Sequence, residues 1–165
     1  AIYLVLSTYV IAPFTVKGHS MDYTFADNDR VFVNKFSKTF ERGDEVVFHA
    51  NETDDYIKRI IGVPGDTIEY KNDVLYVNGQ VVEEPYLTKK IQEAKASGNS
   101  PLTPDFNIEY LSSTKSKTVP EGTYFVLGDN RQHSTDSRVF GFVKKEAMIG
   151  KVSLRYYPFN TFKLF

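Results

Sequence analysis

The fold class is indicated by residues Thr67 to Val82, which read TIEYKNDVLYVNGQVV. Within this stretch, two short runs rich in β-branched and aromatic residues are separated by Asn72-Asp73, and Asn78-Gly79 follows the second run. Asn-Gly supplies the positive φ angles that a two-residue hairpin turn needs. We therefore predict that this stretch forms a small antiparallel meander, in which each short strand pairs with the next.

Similar runs occur on both sides of this stretch. Each is bounded by turn residues, and several alternate apolar and polar positions as half-buried strands do. The predicted strands are Arg30 to Asn34, Glu45 to His49, Tyr56 to Ile61, Thr67 to Lys71, Val74 to Val77 and Tyr124 to Leu127. Helices are predicted only over Leu87 to Ala96 and Lys144 to Met148. We expect an all-β fold, built mainly from antiparallel β-sheets with few short helices.

Composition narrows the possible functions of the 165 residues. The chain has 20 Lys and Arg against 21 Asp and Glu, so its net charge of -1 gives no general attraction to polyanions, and we predict no nucleic-acid partner. The absence of cysteine excludes disulfides, thiolate nucleophiles and Cys-bound zinc. Because His19, His49 and His133 lack the spacing that places two imidazoles on one helical face, we predict no metal site, and no cofactor is expected.

The first sixteen residues are uncharged and rich in apolar side chains. Only twelve residues precede Pro13. A helix of that length would reach roughly 18 Å, short of the ~30 Å hydrocarbon core of a bilayer. We interpret residues 1–14 as the outer end of a transmembrane anchor. The alternative is a buried N-terminal strand, which the β-branched and aromatic content also favours.

Lys58 is the most informative candidate for chemistry. It lies within the predicted strand Tyr56 to Ile61, where alternation places it opposite to Ile57. A lysine held against apolar walls has a lowered pKa, because desolvation disfavours the ammonium, and a neutral amine is a competent general base. The alternative is a lysine that extends to water or pairs with a nearby carboxylate.

Two further segments carry polar chemistry. Ser20 follows Gly18, whose glycine backbone can approach a ligand closely, so the Ser20 amide could face a developing oxyanion. Residues Gly128 to Arg138 form a dense polar loop directly after the predicted strand Tyr124 to Leu127. Such a loop orders itself through carboxylate–guanidinium pairs. Taken alone, both segments are also explained as ordinary turns.

Together these segments resemble the type I signal peptidases, the membrane-anchored Ser-Lys proteases that remove signal peptides from exported proteins. Four sequence boxes of that family occur in the family's order, and the match covers nearly the whole chain. The boxes are GHSM at Gly18 to Met21, RGDEVV at Arg42 to Val47, YIKRIIGVPGD at Tyr56 to Asp66 and GDNRQHSTDSR at Gly128 to Arg138. The third and fourth boxes are long and therefore specific.

The resemblance implies a role for each matching residue. Ser20 would be the nucleophile and Lys58 the general base. The implied supporting residues are one orienting hydroxyl and two ion pairs, namely Ser134, Asp129 with Arg59, and Asp136 with Arg138. The implied substrate-binding residues are Val16, Gly18, Met21, Phe25, Tyr56 and Ile57.

The family's specificity implies the substrate and the location. Its members cut after small residues, typically Ala-x-Ala, which implies shallow apolar pockets beside an extended substrate paired along the strands near Val16 and Ile57. The implied partners are the signal peptides of preproteins and the lipid bilayer. The chain would be a single-pass protein of the cell membrane, with its catalytic domain on the extracytoplasmic face, and we expect a monomer.

The family fold also implies a division of the chain. Residues 15–66 and 123–165 would form a signal-peptidase-like catalytic core, and residues 67–122 a smaller inserted β region. This interval is rather short, as in the single-anchor enzymes of Gram-positive bacteria.

Three departures from the family pattern bear on activity. Tyr23 stands where a proline usually follows the nucleophile, and Gly18 stands where some members carry a serine that donates to the oxyanion. His19 stands at a position that is often acidic, and could modulate the pH dependence. Tyr23 keeps open an alternative, a catalytically silent membrane-tethered homologue that binds secreted segments. A self-cleaving Ser-Lys repressor would instead carry a DNA-binding region and lack the apolar N-terminus.

Overall fold

A computed structural model of the chain describes residues 11–22, 24–36, 39–158 and 163–165. Within those ranges the secondary structure is mostly β. The strands, β1 to β12 in chain order, are Ile11–Thr15, Arg30–Asn34, Glu45–His49, Asp55–Gly62, Ile68–Lys71, Val74–Val77, Gln80–Val82, Phe106–Asn107, Thr123–Leu127, Val143–Lys144, Met148–Tyr157 and Lys163–Leu164. The helices are α1 (Thr88–Ser97) and α2 (Ser137–Phe140), with 3-10 turns at Arg131–His133 and Lys145–Ala147.

The larger sheet is antiparallel and has the strand order β1-β2-β11-β3-β4-β9-β10, with β12 also paired to β11. In its centre, Val47 of β3 pairs with Ile57 of β4, and both belong to one apolar cluster. The alternate residues Val46 and Ile60 belong to a second cluster. Apolar side chains therefore cover both faces of the β3–β4 pair. The polar residues in the middle of β4, Lys58 and Arg59, are buried as a result.

The smaller sheet has the strand order β7-β6-β5-β8. Strands β5, β6 and β7 form a meander whose two turns are Asn72-Asp73 and Asn78-Gly79, all four residues with φ between 52° and 79°. Asparagine, aspartate and glycine adopt this left-handed region at little cost. The predicted meander and the predicted all-β class are confirmed.

The six predicted strands are present to within one residue at either end, and the predicted helix Leu87 to Ala96 corresponds to α1. The helix predicted over Lys144 to Met148 is wrong. Only a single 3-10 turn forms there, and Met148 opens the ten-residue strand β11, which lies between β2 and β3. Strand β3 pairs with the first part of β11 and β2 with the rest, and this tertiary pairing outweighs the local helix propensity of Lys144 to Met148.

The structure describes only the last part of the predicted N-terminal segment, residues 1–14. Residues 1–10 of the expected anchor segment lie outside the described residues, as does Tyr23. From Ile11 onward the chain is strand β1, which pairs with β2. In the described part of the chain, no helix is both long and apolar enough to cross a bilayer.

Candidate active site

A cleft of ≈220 Å³ opens where the loop after β1 approaches β4 and the loop after β9. Ser20 and Lys58 both line this cleft, although they come from distant parts of the sequence. The remaining lining residues are Phe14, Lys17, Gly18, His19, Asp55, Tyr56, Ile57, His133 and Thr135. The fold therefore brings the predicted nucleophile and the predicted base to one site.

Lys58 is buried in the middle of β4, with 3% of its surface exposed. Its Nζ donates a hydrogen bond to Ser134 Oγ at 3.3 Å and lies 5.4 Å from the centre of the Tyr56 ring. Burial lowers the pKa of Lys58 from an ordinary 10.5 to about 8, since desolvation disfavours the ammonium. The charge of Asp136 partly opposes this lowering, and the charge of Arg138 adds to it. The Lys58 side chain thus has the properties of a general base near neutral pH.

The loop after β9 supplies the groups around the amine. Ser134 Oγ donates to Asp136 Oδ2 at 2.8 Å, and this carboxylate also accepts from the backbone N–H of Gly128 at 3.1 Å. Arg138 binds the same carboxylate with two N–H groups, each at 2.9 Å. Burial alone would raise the pKa of Asp136, but the hydrogen bonds and charge of Arg138 outweigh it and lower that pKa below its ordinary value. Asp136 is therefore held as a carboxylate, and it fixes the Ser134 hydroxyl.

Ser20 lies in a turn that the same loop holds in place. Its carbonyl accepts from the backbone N–H of Asn130 at 2.8 Å, and the Asn130 side-chain amide donates to the carbonyl of His19 at 2.9 Å. Ser20 is half-buried, and its hydroxyl has no hydrogen-bond partner among the described residues. A hydroxyl that faces a cleft without an internal partner is available for reaction with a bound substrate.

A buried ion-pair group lies next to Lys58 on β4. Arg59 binds Asp129 through Nε at 2.9 Å and through its terminal nitrogen at 2.7 Å, and it also pairs with Glu45 at 2.7 Å. The Arg59 guanidinium lies over the Tyr86 ring at 3.8 Å. Both predicted ion pairs are thus present. Asp129 with Arg59 joins the loop after β9 to β4, and Asp136 with Arg138 joins that loop to α2.

The six predicted substrate-binding residues fall into two groups. Gly18, Tyr56 and Ile57 line the cleft. Val16, Met21 and Phe25 do not line it but lie with Ile57 in the apolar cluster behind it, each at most 1% exposed. Their assignment to substrate pockets stays a prediction.

Two features of the site were not predicted. Both lie within the fourth sequence box. Nothing in the local sequence predicts that the side chain of Asn130 donates a hydrogen bond to the turn that contains Ser20, or that Arg131 is buried. Arg131 contacts Tyr70 and Glu84 of the segment that holds the smaller sheet. These contacts join residues that are 47, 61 and 111 positions apart, and no local sequence pattern predicts them. Among the described residues, no group of three or more His, Asp or Glu side chains is arranged to hold a metal ion.

Comparison with known proteins identifies the family. Residues 1–157 match the family described as signal peptidase, peptidase S26. The chain is 47% identical to signal peptidase IB of Staphylococcus aureus strain COL over 98% of this chain and 86% of that protein. It is 48% identical to signal peptidase I of Bacillus caldolyticus over 95% of this chain and 85% of that protein. A crystal structure of a signal peptidase I from Enterococcus faecalis V583 superposes with a TM-score of 0.64 at 45% identity, covering 70% of this chain and 97% of that one.

These relatives, which match nearly the whole chain, show that it is a serine peptidase, a hydrolase. More narrowly, the chain belongs to the signal peptidase family, peptidase S26, and the predicted family is confirmed.

Proposed function

We propose that this chain cleaves the signal peptides of exported preproteins with a Ser-Lys dyad, in which Ser20 is the nucleophile and Lys58 the general base. Signal-peptide processing by a serine peptidase follows from membership of the family. The assignment of the two residues rests above all on one observation. Lys58 is a buried lysine with a lowered pKa, and it lines the same cleft as Ser20.

The first chemical step uses the neutral amine of Lys58. One N–H of the amine donates to Ser134 Oγ, which leaves the nitrogen lone pair free to accept the proton of the Ser20 hydroxyl. Ser20 Oγ then attacks the scissile carbonyl carbon, and the carbonyl π electrons move to the oxygen. When this tetrahedral intermediate collapses, the Lys58 ammonium gives its proton to the departing amine, and an acyl ester remains on Ser20.

The second step regenerates the enzyme. Lys58, neutral again, takes a proton from a water molecule that attacks the acyl ester, and the same proton returns to Ser20 Oγ as the acid product leaves. The amine therefore serves as base and then as acid in both half-reactions. Ser134, fixed by Asp136, holds the amine in the same direction throughout.

The backbone amide of Ser20 is the donor that we assign to the developing oxyanion. Among the described residues it has no acceptor, so it can donate to a substrate oxygen. The Gly18 amide is already bound to the carboxylate of Asp27 at 2.8 Å. Since residue 18 is glycine, it offers no side-chain hydroxyl as a second donor.

We assign specificity for Ala-x-Ala to the cleft between the Ser20 loop and β4. Ile57 and Gly18 face the space in which an extended substrate would lie, and the small cleft volume favours small side chains. Val16, Met21 and Phe25 would close the pockets from behind. The smaller sheet lies within residues 67–122, which supports treating that region as an insertion into a core of residues 15–66 and 123–165.

We also propose that the enzyme works as a monomer at the extracytoplasmic face of the cell membrane, where the segment of residues 1–14 leads from a single-pass anchor. The uncharged, apolar character of the first sixteen residues supports this placement. A cleavage site would emerge beside the cleft once the signal peptide lies in the bilayer.

The test is cleavage of a peptide that carries an Ala-x-Ala site, measured in detergent or lipid. We expect cutting after the second Ala that is lost in Ser20→Ala and in Lys58→Ala. The matched controls Ser112→Ala and Lys71→Ala change exposed residues of the same types and should cut at the parental rate. The proposal is wrong if either dyad variant keeps parental activity. It is also wrong if neither the parent chain nor a version joined to a transmembrane helix cuts.

A further inference from the structure

The side chain of Arg131 is wholly buried although it belongs to the polar loop after β9. Its guanidinium donates to Glu84 Oε2 at 2.7 Å, to Tyr70 Oη at 2.7 Å and to Thr103 Oγ1 at 3.2 Å. Its Nε donates to the carbonyl of Gly128 at 2.9 Å. A buried guanidinium is tolerated only with a counter-charge and satisfied N–H groups, and Glu84 supplies that charge.

The partners of Arg131 come from the smaller sheet and the segment that follows it. Tyr70 lies on β5, and Glu84 lies between β7 and α1. Glu84 Oε2 also accepts from the hydroxyls of Tyr70 at 2.6 Å and Tyr86 at 2.9 Å. The Tyr86 ring covers the guanidinium of Arg59. Tyr70 of the smaller sheet, with Glu84 and Thr103 from the segments that follow it, therefore forms a buried acidic pocket, called the Arg131 socket below, that receives a side chain from the loop after β9.

Arg131 is joined to the cleft through its own backbone. Its carbonyl accepts from Arg138 at 2.9 Å, and the same terminal nitrogen of Arg138 binds Asp136 at 2.9 Å. Asp136 fixes Ser134, and Ser134 contacts the Lys58 amine. A continuous chain of hydrogen bonds and ion pairs thus runs from Glu84 to the proposed general base.

We infer that Arg131, held by Glu84 and Tyr70, is a positioning residue. It fixes the position of the Lys58 amine and keeps water away from it. The inference rests on the proposed function, since it concerns the proposed base. It gives residues 67–122 a part in catalysis, because Tyr70, Glu84 and Thr103 of that region hold Arg131.

The groups that face Lys58 show what loosening the socket would change. Asp136 and Arg138 act on the amine from the loop, and Tyr56 lies beside it on β4. The other charged or titratable residues that line the cleft are Lys17, His19, Asp55 and His133. Burial is the largest cause of the lowered pKa of Lys58. A loop released from Glu84 would admit water to the amine, and the pKa of Lys58 would rise toward its ordinary value.

Two variants weaken the socket to different degrees. Glu84→Gln removes the counter-charge of Arg131 while keeping the shape, and Tyr70→Phe removes one hydroxyl and keeps the ring. Matched controls are Glu83→Gln and Tyr110→Phe, which make the same changes at exposed positions. If Glu84→Gln does not fold, the milder Tyr70→Phe decides the question.

The first readout is the pKa of the Lys58 amine from the pH dependence of its ¹³Cε NMR signal, assigned by its loss in Lys58→Arg. This readout does not need cleavage, so it is independent of whether the proposed function holds. We expect the two socket variants to raise this pKa by about half a unit or more, and the controls to leave it unchanged. An unchanged pKa in a folded socket variant overturns the inference.

The second readout is the pH profile of kcat/KM for the Ala-x-Ala peptide. A socket variant should lose several-fold activity near pH 7.5 and regain most of it at higher pH, because the amine is then neutral again. A uniform loss at every pH, with the midpoint unmoved, would mean that Arg131 only stabilises the fold. A silent parent chain contradicts the proposed function alone, and the NMR titration still decides this inference.

Discussion

The amine of Lys58 lies 3.3 Å from the hydroxyl oxygen of Ser134, a residue 76 positions away in the sequence. Ser134 in turn donates its own proton to Asp136 at 2.8 Å, so its oxygen is left to accept from the amine. The amine is thereby oriented by a neutral hydroxyl and not by direct contact with a carboxylate. A direct ion pair would stabilise the ammonium and weaken the base, whereas this arrangement orients the amine and leaves its pKa low.

Cleavage should follow the ionisation of Lys58. Because the base must be neutral, kcat/KM should rise about tenfold per pH unit in acid and level off above a midpoint near pH 8, as the pKa of about 8 requires. The measurement is the pH profile of peptide cleavage with chemistry rate-limiting. A His19→Gln variant should keep the same midpoint, because His19 is an exposed residue that contacts Asp22. A midpoint near 6.5 that disappears in this variant would instead identify a histidine as the titrating group.

Ser134→Ala should lower kcat/KM by roughly 10- to 100-fold, because the amine of Lys58 loses its orienting acceptor. The fold should survive, since Asp136 keeps both Arg138 bonds and the Gly128 bond. Thermal unfolding measured beside the activity separates the two effects. Ser112→Ala provides the matched control at an exposed position. Full activity in Ser134→Ala would show that β4 alone orients the amine.

The local sequence predicted the strands and turns well because their signals are local. The Asn-Asp and Asn-Gly turns need positive φ, and the β-branched and aromatic residues of β3 and β4 are visible within five to eight residues. The local sequence does not predict strand β11, because its position between β2 and β3 depends on partners at least 100 residues away in the sequence on both sides. Such pairing is a tertiary effect that outweighs local propensity.

The candidate site shows the same division. Lys58 was identified from its apolar neighbours in one strand, and its burial is as that pattern indicates. The pairing of Ser20, Lys58 and Ser134 came from the family resemblance, because no local rule brings residues of three separate segments together. No local signal predicts the contacts of Arg131, since Glu84 and Tyr70 lie in ordinary polar and apolar runs of the sequence.

Gly128 should not tolerate a side chain. A Cβ at this position would lie 2.6 Å from the carbonyl oxygen of Ser20 and would also press on the hydroxyl of Ser134. Gly128→Ala must therefore displace the Ser20 turn or the Ser134 side chain, and a shift of about 1 Å at these groups should cost roughly 100-fold in kcat/KM. Cleavage assays together with thermal unfolding test this expectation. Unaltered activity would mean that the Ser20 turn can move without loss of function.

Asp129→Asn should destabilise the fold by about 3 kcal/mol, because Arg59 would lose its forked partner in a buried site. The Asp129 side chain is wholly buried, so water cannot replace the lost charge. Glu45 remains beside Arg59, which limits the loss. The measurement is the free energy of unfolding in urea, with the exposed Glu121→Gln as the control. A loss no larger than that of the control would contradict the expectation that this pair stabilises the contact between β4 and the loop after β9.

Lys58→Met should abolish cleavage and yet stabilise the fold. At pH 7 the wild-type fold buries a charged lysine whose pKa is lowered from 10.5 to about 8, which corresponds to about 3 kcal/mol of destabilisation. Methionine has a similar length and no charge, so the variant should recover a few kcal/mol in the free energy of unfolding. Lys71→Met makes the same change at an exposed position and should have little effect.

The pH dependence of this gain has a defined sign. Below pH 8 both the folded and the unfolded wild type hold the Lys58 proton, so the full cost is present. Between pH 8 and 10.5 the unfolded chain binds more protons than the folded one, so wild-type stability rises with pH and the advantage of Lys58→Met shrinks. Urea unfolding of both proteins at pH 7 and pH 10 measures the difference. A variant that is less stable than wild type at pH 7, or an advantage that grows with pH, would show that the burial of Lys58 is not a cost to the fold.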